Sequence, residues 1–314
     1  MMIYMDNQRI VQFIVTENGE RLDKAISAKF PDYSRSQIQS LIKDGHVLVD
    51  GQQSKPGVRL KDQSQITVTL QDEPDETAIT PEDVKLDVRY EDEDIVVVNK
   101  SAGMVVHPSV GHMTGTLVNA LLARYPAMID MQDDPQAEGR MGIVHRLDKD
   151  TSGLMVVARH LDALHNLMAQ FQERTVEKTY IALLEKRPKT NTGTIDAPIK
   201  RDPRQRKRMA VVRDGKPAVT DFEVLDDRYR EGRTLVKLKL HTGRTHQIRV
   251  HMAFISCPVV GDMVYGYRKQ RTGLKRQFLH ASELAFDHPR TGERMHFSSD
   301  LPVGLQNMLD KLRD

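Results

Sequence analysis

Short apolar segments rich in β-branched residues dominate the last two thirds of the chain, and their order limits the possible folds more than any other feature. The sequence predicts strands at 95–99, 154–158, 180–184, 218–225, 234–240 and 278–286. Apolar residues at helical spacing predict helices at 116–124, 161–171, 245–255 and 305–312. The two kinds of element do not alternate as they would in a doubly wound parallel sheet. We therefore predict an α+β fold with a mixed, mostly antiparallel sheet.

A smaller folding unit is predicted at the N-terminus, over residues 14–75. Apolar spacing predicts two short helices, and Ser34 is placed to cap the second one. The pair Asp50-Gly51 is typical of a hairpin turn, and it precedes a strand predicted at 66–70. A unit of this size has a small core, so it is interpreted as a module attached to a larger domain.

Acidic residues and prolines separate the two units. Pro74 and Pro81 lie among six acidic residues between positions 72 and 83. Such a composition is typical of a solvated linker, although a functional acidic segment is the alternative. We place the linker at 76–87 and the larger domain at 88–314.

Composition limits the class of protein. The chain has 314 residues, a formal net charge of +2 and a single cysteine, Cys257. One cysteine excludes an intramolecular disulfide and favours a reducing compartment. No apolar run approaches the roughly 20 residues of a membrane-spanning helix, and no signal-peptide core is found. These features predict a cytoplasmic protein that does not enter a membrane, and we expect a monomer.

The segment GIVHRLDKDTSG, residues 142–153, is the most informative stretch for chemistry. It places His145, Arg146 and Asp148 in a polar loop between two apolar segments. A loop held by buried strands is a common position for a reactive side chain, and a carboxylate can act as nucleophile or general acid and base. The alternative is a charged surface turn with internal ion pairs.

A second polar segment, HTGRTHQIRVH at 241–251, follows a predicted strand and opens a predicted helix with Thr245 as its N-cap. Three histidines could suggest a metal site, but His246 and His251 do not share a helical face and no cysteine assists them. We therefore predict no metal. Cationic contacts from Arg244 and Arg249 to a phosphate or a carboxylate are the better interpretation.

Further basic segments suit contacts with RNA. Cations are concentrated between positions 200 and 213 and, with interleaved tyrosines, between 265 and 276. A solvated loop is the alternative for each. The chain has no Walker-type phosphate loop, no GxGxxG turn after a strand and no Cys/His metal spacing, so a reaction that needs no cofactor is favoured.

Three motifs together resemble the RluA family of pseudouridine synthases. They are HRLDKDTSG, KTY at 178–180 and GRTHQIRVH. In the smaller unit, RLDKAI, SRSQIQSLIKDGHVLVDG and KPG resemble the alpha-L RNA-binding domain of a ribosomal small-subunit protein. The resemblance covers the whole chain and implies the pseudouridine synthase fold with this domain in front of it.

The resemblance also implies roles for particular residues. Asp148 corresponds to the catalytic carboxylate, Tyr180 to the residue that stacks on the target base, and Arg249 to the partner of Asp148. Arg146 corresponds to the residue that fills the space left by the flipped nucleotide. The isomerisation conserves every atom of uridine, so no cofactor is implied.

Ribosomal RNA is the implied partner, as 23S rRNA or the assembling large subunit. Besides Arg146, the predicted RNA contacts are His145, Arg206, Lys207, Arg208 and Arg244 in the larger domain, and Arg21, Lys24, Arg35, Lys43 and Lys55 in the smaller one. Three alternatives stay open: the same chemistry on transfer RNA, a non-catalytic RNA-binding protein, and an rRNA methyltransferase. A methyltransferase requires a glycine-rich cofactor turn after its first strand, and the sequence after the strand predicted at 95–99 has no such turn.

Overall fold

The computed structural model describes residues 2–5, 8–16, 18–31, 33–71, 79–109, 111–137, 139–205, 208–267 and 272–313. The chain forms two compact units, Met1–Ala78 and Ile79–Asp314. Across the described ranges, no helix is both long and apolar enough to cross a membrane.

The smaller unit combines a sheet with two helices. Its strands are β1 (Met2–Met5), β2 (Gln8–Ile14), β3 (Val47–Val49), β4 (Gln52–Gln53) and β5 (Gln65–Gln71), and its helices are α1 (Leu22–Lys29) and α2 (Arg35–Lys43). The sheet order is β1-β2-β5-β3-β4, with antiparallel neighbours. Ser34 caps α2 through a capping box with Gln37, and Asp50-Gly51 turns β3 into β4, so both predictions are confirmed.

The larger unit contains the remaining elements. Its helices are α3 (Leu117–Arg124), α4 (Leu161–Glu173), α5 (Gln247–Phe254) and α6 (Val303–Leu312), with 3-10 turns at Pro126–Met131 and Arg230–Gly232. Its strands are β6 (Val88–Glu91), β7 (Ile95–Lys100), β8 (Ser152–Ala158), β9 (Glu177–Leu184), β10 (Thr192–Asp196), β11 (Ile199–Arg201), β12 (Met209–Val211), β13 (Val219–Tyr229), β14 (Arg233–Leu240), β15 (Leu279–Asp287) and β16 (Arg294–Ser298).

One mixed sheet organises this unit. Its order is β10-β13-β14-β9-β15-β8-β7-β6, with β16 added beside β15. In the described residues β15 and β8 are the one parallel pair, and the other neighbours are antiparallel. Every residue of β8 is buried, which agrees with its continuous apolar sequence. The predicted α+β fold with a mixed, mostly antiparallel sheet is confirmed.

Two features differ from the sequence-based expectations. Strands β1, β2, β6, β10, β11, β12 and β16 are not among the predicted ones. In addition, residues 79–87 of the predicted linker lie against the larger unit: Asn119 Nδ2 donates to Thr80 O at 2.7 Å, and Glu82 N donates to Asn119 O at 3.0 Å. Ile79 and Leu86 pack on the core, and the half-buried Glu82 accepts a hydrogen bond from Gly115 N at 3.0 Å, whereas Asp83 and Asp87 are exposed.

Candidate active site

The loop that carries Asp148 leads directly into β8 and is fastened to that strand. Ala158 N donates to Gly142 O at 2.9 Å, and Val156 N donates to His145 Nε2 at 3.1 Å. Gly142 has φ +82°, and a Cβ there would lie 2.2 Å from the carbonyl oxygen of Ala158. Only glycine fits this backbone, so the start of the loop is fixed where the strand passes it.

The other side of the loop is held by a buried lysine. Lys100, at the end of β7, donates from Nζ to the carbonyl oxygens of Ser101 (2.9 Å), Met104 (2.9 Å) and Lys149 (3.1 Å). Burial lowers the pKa of Lys100 to about 8. Since Lys149 follows Asp148, this ammonium group fixes the backbone beside the candidate catalytic carboxylate.

Arg249 brings a cation to Asp148. Its Nη1 donates to Asp148 Oδ2 at 2.9 Å, and the two side chains are 7% and 18% exposed. Asp148 Oδ1 accepts no hydrogen bond from any residue in the described part of the chain, and His246 Nε2 lies 3.9 Å from it. One carboxylate oxygen is therefore held, and the other is open.

A second carboxylate holds the opposite side of the same guanidinium group. Arg249 donates from Nε to Asp262 Oδ2 at 2.7 Å and from Nη2 to Asp262 Oδ1 at 3.0 Å. Asp262 is fully buried and also accepts the backbone N–H groups of Val264 (2.8 Å) and Tyr265 (3.0 Å). Burial alone would lower the pKa of Arg249, but the two carboxylates outweigh it and raise that pKa. The guanidinium group is therefore permanently charged and fixed in orientation.

No sequence motif marks Asp262, because its role depends on a contact between distant segments. The available signal is a lone acidic residue that follows the apolar pair Val259-Val260 after Gly261. Tyr265 is predicted above only as part of a basic segment. Its ring instead contacts Arg249, with the guanidinium carbon 5.1 Å from the ring centroid.

Tyr180 lies on β9 with its side chain buried beside Asp148. Burial raises the pKa of Tyr180, and the negative charge of Asp148 raises it further. The phenol is therefore neutral, and it lies close enough to Asp148 for the carboxylate charge to act on it.

Helix α5 starts differently from the prediction. The helix begins at Gln247, and its N-cap is His246 in the left-handed conformation (φ 57°, ψ 20°), so Thr245 as the cap is wrong. The side chain of Gln247 replaces the cap: its Oε1 accepts from Arg244 N (3.0 Å) and Thr242 Oγ1 (2.7 Å). Arg249 consequently lies in the first helical turn, where it reaches Asp148.

The predicted RNA contacts of the larger unit occupy varied environments. Arg146 is exposed, Arg244 donates from Nε to Pro217 O at 3.0 Å, and Arg208 lies 5.0 Å from the centroid of the Tyr265 ring. Arg206 and Lys207 lie outside the described residues.

His145 supports the loop through its ring, and its contact with RNA stays a prediction. Its ring stacks on Phe171 with centroids 4.7 Å apart, and its Nε2 accepts the backbone hydrogen bond described above. Desolvation, reinforced by the charge of Lys178, lowers the pKa of His145 to about 3. The ring is therefore neutral and supports the loop.

The predicted contacts of the smaller unit are all exposed: Arg21, Lys24, Arg35, Lys43 and Lys55. Two of them share an acidic partner, because Arg21 and Arg35 lie 2.8 and 3.6 Å from the buried carboxylate of Asp23.

Among the described residues, one group comes close to metal-ligand spacing, namely Asp92, Asp94 and His288. Arg290 donates to Asp94 Oδ1 from Nε (3.0 Å) and Nη2 (2.8 Å), and His160 Nε2 lies 2.8 Å from the same oxygen. Arg290 pairs with Asp94, and Asp92 Oδ2 accepts from Tyr90 Oη at 2.7 Å and lies 2.9 Å from His288 Nε2, so these groups already form an ion-pair and hydrogen-bond network.

Family comparisons match both units. Residues 94–254 match the family described as RNA pseudouridylate synthase, and residues 20–66 match the S4 domain.

Individual relatives match nearly the full length. An uncharacterized RNA pseudouridine synthase of Chloroflexus aurantiacus is 49% identical over 307 residues, which cover 98% of this chain and 94% of that protein. The ribosomal large subunit pseudouridine synthase D of Pseudomonas aeruginosa is 44% identical over 318 residues, covering 98% and 96%. Among solved structures, human RNA pseudouridylate synthase domain containing 1 aligns with a TM-score of 0.57 and 30% identity, over 71% of this chain and 87% of that one.

Proposed function

The chain belongs to the RNA pseudouridylate synthase family, and on that premise we propose that it isomerises specific uridines of 23S ribosomal RNA with Asp148 as the catalytic carboxylate. Membership makes the chain an isomerase acting on uridine in RNA. It also removes the methyltransferase alternative.

The observation that carries the assignment of Asp148 is the unequal environment of its two oxygens. Oδ2 is bound by a guanidinium group that is itself fixed by a buried aspartate, whereas Oδ1 is open and lies 3.9 Å from His246 Nε2. A carboxylate that is oriented through one oxygen and open at the other can act on a bound substrate without first reorganising.

The reaction requires little besides this group. The bond between C1′ and N1 breaks, a bond between C1′ and C5 forms, the proton on C5 leaves and N1 takes up a proton. No atom is added and no electron is transferred, so side chains can supply the chemistry. Asp148 assists the detachment and re-attachment of the uracil.

Two neighbouring residues are assigned to substrate handling. Tyr180, whose phenol is neutral, stacks on the target base, and the exposed Arg146 fills the space that the flipped nucleotide leaves. Flipping costs a few kcal/mol, and an inserted side chain offsets part of that cost.

The choice of 23S rRNA rests on the relatives and on the smaller unit. Several relatives at 42–44% identity are named ribosomal large subunit pseudouridine synthase D, and the S4 domain match accounts for the exposed cations of the smaller unit. Cations that contact phosphates provide affinity without sequence information. We propose that the protein acts as a monomer, because Asp148, Arg249, Asp262 and Tyr180 all come from one chain.

The assignment of Asp148 is tested with Asp148→Asn. Asparagine keeps the shape but is not a nucleophile, so we expect tritium release from 23S transcripts labelled at C5 of uridine to fall at least about a thousandfold. RNA affinity, measured by filter binding, should stay within a few fold. Asp150→Asn changes a carboxylate in the same loop and should retain most activity. Substantial turnover by Asp148→Asn would contradict the assignment.

The substrate is tested by mapping pseudouridines in RNA from cells with and without the gene. Sites in 23S rRNA should disappear in the deletion strain and return with the wild-type protein, but not with Asp148→Asn. Disappearance of sites in transfer RNA alone would favour the alternative substrate.

A further inference from the structure

His246 adopts a conformation that is unfavourable for a residue with a Cβ. Its φ of 57° and ψ of 20° lie in the left-handed region, which is uncommon for residues other than glycine. Most N-cap residues adopt an extended backbone instead and avoid this strain. Strain of this kind persists where the surroundings impose it, and it is concentrated at functional sites.

Tyr265 imposes the orientation of the His246 ring. The phenol oxygen lies 2.9 Å from His246 Nδ1, and it accepts a hydrogen bond from Met209 N at 2.7 Å. The two rings meet edge to face, with centroids 5.7 Å apart. Burial is the main reason that the pKa of Tyr265 is raised, so the phenol keeps its single proton.

These contacts select one tautomer of the imidazole. The Tyr265 oxygen already accepts a hydrogen bond from Met209 N, and within the described part of the chain His246 Nδ1 is the acceptor available for the phenol proton. If the phenol donates to Nδ1, the imidazole proton is on Nε2. Burial lowers the pKa of His246, which keeps the ring neutral.

The Nε2 atom lies close to the open oxygen of Asp148. The distance from Nε2 to Asp148 Oδ1 is 3.9 Å, too long for a hydrogen bond, and the His246 side chain is 23% exposed. The two atoms are not bonded to each other, so a substrate that lies alongside the pair is within reach of both the donor and the carboxylate oxygen.

We propose that His246 is a further catalytic residue, a neutral hydrogen-bond donor that binds a carbonyl oxygen of the target uracil through Nε2 while Tyr265 fixes its tautomer. The inference rests on the proposed function, because it assumes that a uridine is bound at Asp148. Uracil has two carbonyl oxygens, both of which are acceptors.

The donor matters most when the base is detached. Cleavage of the bond between C1′ and N1 leaves its electron pair on the uracil, and the charge spreads to the carbonyl oxygens. A hydrogen bond that strengthens as this charge develops lowers the barrier, while His246 keeps its proton throughout. Loss of one such donor typically costs about a hundredfold to a thousandfold in rate.

Protonation of His246 would destroy this arrangement. A cationic imidazole carries protons on both nitrogens, so it loses the hydrogen bond from Tyr265 and attracts Asp148. The other charged groups that act on the ring are Arg249, Asp262 and Arg146. The rate should therefore fall in acid, below the ordinary histidine range of about 6.5.

The test compares His246→Leu, His246→Gln and Tyr265→Phe in single-turnover tritium release at saturating 23S transcript, from pH 5 to pH 8. We expect a loss of at least a hundredfold for His246→Leu, with the dissociation constant for RNA within about threefold of wild type. His246→Gln presents a neutral amide donor near the Nε2 position, so its rate should stay within about tenfold of wild type. Its rate should also lose the acid limb, which is the fall in rate at low pH that protonation of His246 causes. Tyr265→Phe keeps the ring but removes the donor to Nδ1, so its acid limb should move to higher pH.

His241→Gln is the control, because His241 belongs to the same motif but is paired with Asp221 at 2.6 Å. It should behave as wild type. A wild-type rate for His246→Leu, or an unchanged acid limb in His246→Gln, overturns the inference. Should His246→Leu fail to fold, as judged from its thermal unfolding, the profiles of His246→Gln and Tyr265→Phe decide the question. A wild-type protein that releases no tritium from 23S or transfer RNA transcripts contradicts the proposed function, and this inference with it.

Discussion

Asp262→Asn tests whether the fixed orientation of Arg249 supports catalysis. Asparagine has the same shape and can still accept the backbone N–H groups of Val264 and Tyr265. Both carboxylate oxygens of Asp262 accept N–H groups of Arg249, and in asparagine one of these oxygens is replaced by an amide nitrogen. That nitrogen is a donor, so it cannot accept the N–H group of Arg249 that it faces. The guanidinium group keeps its charge but loses one of its two anionic partners.

The structure gives the size of the effect. Both side chains of the pair are buried, with 7% and 0% exposed, so solvent cannot replace the lost contact. Breaking a buried ion pair from one side costs about 3–5 kcal/mol, and the retained backbone contacts of the asparagine favour the lower end. At about 2–4 °C per kcal/mol for a unit of this size, the melting temperature should fall by about 6–12 °C. A displaced Arg249 should also lower the turnover rate by about tenfold to a hundredfold.

Scanning calorimetry and single-turnover tritium release measure the two effects on the same preparation. Asp94→Asn is the matched control, because Asp94 is also buried and is paired with Arg290 at 2.8 Å outside the Asp148 cluster. It should lower the melting temperature without changing the rate. An Asp262→Asn protein with wild-type stability and rate would refute the reasoning, and a weakened RNA affinity at an unchanged saturated rate would assign Asp262 to binding.

Three further predictions concern stability and the division of labour. Burial lowers the pKa of Lys178 to about 8 from 10.5, so between these values the unfolded chain binds more protons and stability rises with pH. Lys178→Met should therefore be more stable than wild type at pH 7.5 by up to about 3 kcal/mol in urea unfolding, and this difference should shrink by pH 10.5. Gly153→Ala places a Cβ 2.3 Å from the carbonyl oxygen of Ala281 at φ +128° and should lower the unfolding free energy by more than about 3 kcal/mol. Gly243→Ala is the control, because a Cβ there meets no atom within 4 Å, and it should leave the unfolding free energy unchanged. A protein that begins at Ile79 should bind 23S transcripts more weakly yet keep Asp148-dependent activity at saturating RNA, which filter binding and tritium release will show.

Features that depend on near neighbours in the chain could be predicted from the sequence. The capping box at Ser34 requires only Gln37, and the turn at Asp50-Gly51 requires two adjacent residues that tolerate positive φ. The buried strand β8 is a continuous apolar run, which few other elements can produce.

Strands at the margins of a sheet could not be predicted in this way. β10 reads Thr-Gly-Thr-Ile-Asp and β16 reads Arg-Met-His-Phe-Ser, and in both strands most residues are exposed or half-buried. β10 pairs with β13, which begins only at Val219, whereas β16 pairs with β15 directly before it in the chain. The apolar signal of such strands is weak because only one face is covered.

The predicted start of helix α5 was wrong for a related reason. Thr245 is a good N-cap by type, but the Gln247 side chain also donates to Val219 O (3.0 Å) and Thr220 Oγ1 (2.9 Å) on β13. A tertiary network of this kind overrides the local preference of a threonine. The same limit applies to Asp262 and His246, whose partners come from distant segments.

The sheet topology explains why these distant segments meet. In the parallel pair, Gly153 of β8 lies opposite Ala281 of β15, so the segments that lead into the two strands arrive at the same edge of the sheet. The loop with Asp148 leads into β8, and the segment with Asp262 leads into β15. On the far side of β15, Ala281 is paired with Tyr180 of β9, which places Tyr180 level with the start of β8. The parallel contact between β15 and β8 thus brings both carboxylates and the tyrosine to one edge, and a side chain at Gly153 would push these two strands apart.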